Sequence, residues 1–166
     1  MRTPLVLLML SALLLAAAAR AAPPAEPLAI VVAADATVLM IDAETLSLIF
    51  KRKKQLWPDG RRILPVNLPA DHAQRQRFSR AVLQLSPEAL EDYWNEQYFH
   101  GVTPPHVVAS ETAVARFVAE TRGAIGYLSP CRVDAHLRVL LLIDAEGRPQ
   151  PPTETPLCSS GSADIP

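Results

Sequence analysis

Short aliphatic runs rich in Val, Ile and Leu alternate along this chain with segments that open on a capping residue and carry apolar side chains at helical spacing. That alternation confines the fold to the α/β class, with helices laid against a sheet. Leu28 to Ala34 is an unbroken apolar run of strand length. Asp42 is placed to cap a helix over 43–51, in which Leu46, Ile49 and Phe50 share one face. Trp57-Pro58-Asp59-Gly60 has the composition of a turn, with Pro second and Gly fourth. Ile63 to Leu68 predicts a second strand. Its Pro65 lacks a ladder N–H and points to an edge position or an early strand end.

Further along, Asp71 is the expected cap of a helix over 72–84, with Phe78, Ala81, Val82 and Leu85 inward. Ser86-Pro87-Glu88 combines a cap, a Pro at the first helical position and an acid on the positive end of the dipole. The helix that follows carries Leu90, Tyr93, Trp94 and Tyr98, an aromatic face read as core packing. His106-Val107-Val108 reads as extended. Ser110 caps a helix over 111–121 that stops near Gly123. Ala124 to Leu128 and Leu137 to Ile143 are the last strands, the second followed by a turn through Gly147.

The chain begins with a second kind of pattern. Arg2 precedes an apolar run from Leu5 to Leu15, and small residues at Ala19 and Ala21 form an A-x-A-like cleavage site. Residues 1–21 are therefore expected to be a signal peptide rather than an anchor, since the run is shorter than a bilayer span requires. No second run of that length follows, and no transmembrane segment is expected in the mature chain. Residues 22–27 read as a linker, 28–147 as a single domain, and 148–166 as a Pro/Ser-rich mobile tail. The two cysteines of the chain, Cys131 and Cys158, read as one disulfide tying this tail back, in keeping with an oxidising compartment. Localisation is then periplasmic or secreted.

The formal net charge is −1, and Arg2 and Arg20 leave with the leader, so the remainder is more acidic still. Nothing in that balance calls for nucleic acid. Lys51 to Lys54 with Arg61 and Arg62 form a basic cluster across the Trp57 turn, read as a solvated turn. His100 and His106 fit no zinc spacing, no Ser/His/Asp or Cys/His set stands out, and neither metal nor cofactor is expected.

Three stretches carry a resemblance. They are Ile49-Phe50-Lys51-Arg52-Lys53-Lys54-Gln55-Leu56-Trp57-Pro58-Asp59-Gly60, then Pro65-Val66-Asn67-Leu68-Pro69, then Ala119-Glu120-Thr121-Arg122-Gly123-Ala124-Ile125-Gly126-Tyr127. With Tyr93-Trp94-Asn95 and Phe99-His100-Gly101 they make the chain similar to the substrate-binding proteins of phosphate-type ABC transporters, as a short single-domain member. The resemblance implies an α/β domain like one lobe of a type 2 periplasmic binding protein. It also implies a non-catalytic role, with phosphate or another small anion and a periplasmic protein or ABC permease as partners.

The sequence departs from that family in two ways. Members have two lobes that close on the ligand, and this chain matches about one. The family also places an Arg four residues before a Ser-Gly-Thr at a helix start, where N–H groups, hydroxyls and a guanidinium hold the anion. Counted back from Phe78, Leu68 stands at the Arg position, and His72, Ala73 and Gln74 replace Ser-Gly-Thr. Arg75 is the nearby cation that remains, and an Asp71 cap would occupy the N–H groups an anion needs. The candidate ligand site is thus Asn67, Asp71, His72, Ala73, Gln74 and Arg75, with a degenerate anion loop. The alternative is an interaction module that has lost solute binding and contacts a protein or the cell envelope. That reading predicts an exposed apolar patch.

Overall fold

The computed structural model describes residues 26–152. The expected signal peptide, most of the linker, and the tail from residue 153 with Cys158 lie outside the described residues.

The described chain forms strands β1 (Leu28–Ala33), β2 (Leu64–Asn67), β3 (His106–Val107), β4 (Ala124–Leu128), β5 (Leu137–Ile143) and β6 (Pro149–Gln150). Between them lie helices α1 (Ala43–Phe50), α2 (Ala73–Phe78), α3 (Pro87–Phe99) and α4 (Glu111–Glu120). One six-stranded sheet runs in the order β3-β2-β4-β1-β5-β6. β2 pairs parallel with β3 and β4, whereas β1 pairs antiparallel with β4 and β5. The sheet is mixed, and β1 is buried at its centre, as an unbroken apolar run requires.

Side chains alternate across β4 and so join two helical layers. Tyr127 packs with Phe50 of α1 and Phe78 of α2. A Cβ on its neighbour Gly126 would meet Val114 and Val118 of α4. Helices thus cover both faces, and the α/β expectation holds.

Caps at Asp42, Ser86 and Ser110 lie where the sequence puts them. Their oxygens accept from the N–H groups of Thr45, Ala89 and Ala113. The expectation at Asp71 fails. His72 is the N-cap of α2, extended at φ −69° and ψ 131°, and its Nδ1 accepts from the N–H of Gln74 at 3.2 Å. The reason is a turn one residue longer than supposed: the N–H of His72 donates to the carbonyl of Pro69, leaving Asp71 inside that turn and exposed. The helix over 72–84 is not uniform either. α2 has six residues and runs into a π-helical segment, Ser79–Leu83, that ends on Gln84 at φ 54°.

Pro65 sits in β2 beyond the reach of β3, which pairs only with Val66 and Asn67. At that position β2 has β4 alone as partner, so the missing N–H costs no ladder bond. Ordered structure continues past residue 147. The turn at Gly147 leads into β6, which pairs with Leu142 and Ile143. The carboxylate of Asp144 closes this hairpin, accepting from the backbone N–H groups of Glu146 and Arg148.

Candidate functional site

In open α/β sheets ligands gather outside the carboxyl ends of the strands. β2 and β4 are parallel neighbours, so their carboxyl ends, Asn67 and Leu128, lie at the same edge. Tyr127 organises this edge. Its hydroxyl donates to Oδ1 of Asn67 at 3.2 Å and accepts from the N–H of Leu68 at 3.4 Å. Its ring stacks on Phe78 at 4.1 Å with planes 5° apart. Burial pushes the Tyr127 hydroxyl above its usual range, and the Arg75 guanidinium beside it acts in the opposite direction.

The six residues read from the sequence do not converge. Asn67, buried, and Arg75 meet around the Tyr127 hydroxyl. Gln74 is buried and donates through Nε2 to Glu26 at 3.3 Å, so it is committed to the start of β1. His72 spends Nδ1 on the cap of its own helix. Asp71 and Ala73 are exposed. Tyr127 was legible only as the last residue of the Gly123–Tyr127 motif, and nothing in that motif assigns its hydroxyl to Asn67.

Two of the clefts among the described residues bear on a ligand site. One, of about 520 Å³, lies at the end of β1 and the Trp57 turn. Three of its polar side chains, Thr37, Asp59 and Arg61, are paired with one another. Arg61 and Asp59 form a salt bridge of 2.6 Å, and Thr37 Oγ1 donates to Asp59 and accepts from Arg61. Those bonds, that to Arg61 foremost, hold the Asp59 carboxyl down at about 2. Trp57 Nε1 donates to the carbonyl of Gly123 at 3.1 Å, which fixes the indole as part of the wall. The second cleft, of about 420 Å³, lies between α2 with its π segment and α3, and includes Arg75 and Trp94.

The basic turn is partly spoken for. Arg52, at φ 59°, donates from Nη1 to the carbonyl of Ile63, and Tyr93 donates its hydroxyl proton to the carbonyl of Lys51. His106 stacks on Phe117 at 5.6 Å. Among the described residues, no helix is long and apolar enough to cross a membrane.

The fold is similar to that of solved phosphate receptors of ABC transporters. One solved example is an ABC-type phosphate transport receptor from Vibrio cholerae. It is 24% identical with a TM-score of 0.58, over 69% of this chain and 45% of that one. Another is a putative phosphate ABC transporter substrate-binding protein with bound phosphate from Clostridium perfringens, 17% identical with a TM-score of 0.58, over 69% and 44%. A third is a possible phosphate binding protein from Planctomyces limnophilus, 12% identical with a TM-score of 0.51, over 70% and 41%. The chain thus spans less than half the length of each of these three structures. No protein-family model matches the chain, nor does any curated protein. The resemblance read from the sequence stands at the level of the fold.

Proposed function

We propose that this chain is an exported, non-catalytic protein of the solute-binding kind, whose helix start no longer holds inorganic phosphate. The observation that carries this reading is the cap of α2. An anion at a helix start needs free N–H groups and small hydroxyl residues around them. Here the N–H of Gln74 is taken by the Nδ1 of His72. Leu68 and Ala73 bring no polar side chain, and Gln74 is held by Glu26. The similar structures are described as a phosphate receptor and a substrate-binding protein, and by analogy this supports a binding role.

Calorimetry with phosphate and sulfate at millimolar concentration tests it. No saturable heat is expected, and saturable binding of either ion refutes the degenerate loop. Cleavage after residue 21 and a Cys131–Cys158 bridge belong to the same proposal. Cys131 is exposed on a short turn, Pro130–Arg132, where a returning tail has access. Intact mass of the secreted protein, before and after reduction and alkylation, checks both.

A second reading, an interaction module facing a protein partner or the envelope, is favoured by one observation. Tyr98 and Phe99 stand 71% and 87% exposed, side by side at the end of α3. Adjacent aromatics with so little cover resemble the anchors of interfaces. Loss of partner capture from a periplasmic extract on Phe99→Ser, with unchanged melting, is the outcome this reading requires.

A further inference from the structure

We propose that the cleft between α2 and α3 binds a small organic anion with an apolar body. The proposal rests on the solute-binding reading and moves the ligand from the helix start to the neighbouring cleft.

Two donors carry it. Arg75 Nη1 and Trp94 Nε1 are shut off from solvent with no hydrogen-bond partner. Both residues line this one cleft of about 420 Å³. Guanidinium and indole N–H groups donate and never accept. A buried donor without an acceptor keeps the whole cost of its desolvation, and an arriving acceptor removes that cost. The other two orphaned side-chain nitrogens among the described residues lie outside this cleft. Arg52 Nε and Arg77 Nε belong to guanidinium groups that already donate through another nitrogen, to the carbonyls of Ile63 and Asp144. Trp94 has no second donor to use.

The rest of the wall sets the shape of the ligand. Leu85, Leu90 and the Trp94 ring are apolar and suit a ring or a short hydrocarbon. Charges of both signs lie at the exposed rim, Arg80 against Glu88 and Glu91. Glu88 is engaged at the start of α3, where its own backbone N–H and Ser86 hold its carboxyl below the usual range. That leaves Arg75 as the cation of the half-buried wall, and a ligand with a negative head meets it there. The π segment supplies an independent sign. It begins at Ser79 in this wall, and such segments inside helices are frequent at functional sites. Both orphaned nitrogens are closed to solvent, so binding requires each side chain to turn toward the cleft.

The test uses the full chain with phenyl phosphate and benzoate as probes, benzyl alcohol as the neutral shape control, and inorganic phosphate. Calorimetry gives affinity, and tryptophan fluorescence reports on Trp94. Saturable millimolar binding of at least one organic anion is expected, with none for benzyl alcohol. Arg75→Gln and Trp94→Phe should each weaken it by about tenfold or more. Trp94→Phe keeps the packing and so serves if Arg75→Gln does not fold. Circular dichroism and melting confirm that each variant is folded. Absence of saturable binding by both organic anions overturns the proposal, and so does binding that neither substitution alters. If inorganic phosphate is also silent, the degenerate-loop reading survives that failure. Inorganic phosphate binding that ignores Trp94→Phe refutes the loop reading instead.

Discussion

Replacing Gly123 with alanine should cost far more than the same change at Gly60, although both glycines sit at φ +83°. The shared backbone conformation carries a shared penalty, about 1–2 kcal/mol for a side chain in the left-handed region. At Gly60 nothing lies within 4 Å of an added Cβ, so that penalty is the whole effect. At Gly123 the added Cβ lies 2.2 Å from the carbonyl oxygen of Arg62, which is backbone and has little room to give. Relieving such a clash costs about 1–3 kcal/mol. It also displaces the Gly123 carbonyl, which accepts from Trp57 Nε1 at 3.1 Å and from the N–H of Leu64 at 3.0 Å. Weakening those two bonds adds up to about 1 kcal/mol each. The expected loss is therefore roughly 2–7 kcal/mol for Gly123→Ala, a large share of the stability of an ordinary domain. Urea unfolding, followed by tryptophan fluorescence and by circular dichroism, measures both variants. A Gly123→Ala protein within about 0.5 kcal/mol of Gly60→Ala would show that the close approach to Arg62 is absent in solution.

Tyr127→Phe keeps the stack on Phe78 but strands the buried Asn67 and the N–H of Leu68, and should cost about 1–3 kcal/mol in urea unfolding. Ser110→Ala removes the acceptor for the N–H of Ala113 at the start of α4, with an expected loss of about 1 kcal/mol by the same measurement. Asp59 has its carboxyl lowered to about 2 in the folded chain. Its contribution is therefore complete above the ordinary aspartate range and is lost as pH falls through about 2. Thermal melts across that interval should show a shallower acid decline for Asp59→Asn than for the parent, and identical slopes would remove the role assigned to Arg61.

Elements were legible wherever local chemistry decides them. Asp42, Ser86 and Ser110 cap helices because a short polar side chain before an apolar period has one good use. β1 was legible because five fully buried positions leave no polar alternation. Asp71 misled for a related reason. Asp and His both serve as acceptors at a helix start, and the choice depended on the length of the turn after Pro69, a tertiary matter. Strand order was out of reach, since β1 takes both partners from distant sequence. At the site, Arg75 and Asn67 were visible as residue types. Their meeting point was hidden, because the Tyr127 hydroxyl comes from a strand whose pairing with β2 no local pattern announces.

The place of β1 also bears on how the chain is made. It is the first described strand to emerge, yet its hydrogen-bonding partners, β4 and β5, follow all four α-helices. A nascent chain that has reached only α3 holds the Leu28–Val32 segment with neither neighbour present to pair with it. Pairing of β1 waits until β4 and β5 have been made, and contacts so distant in sequence are slow to close. Until then the same five residues offer an extended hydrophobic segment to a holdase, or to another unfinished copy. Quality control of this protein would therefore act on its opening strand, long before any ligand-binding surface exists.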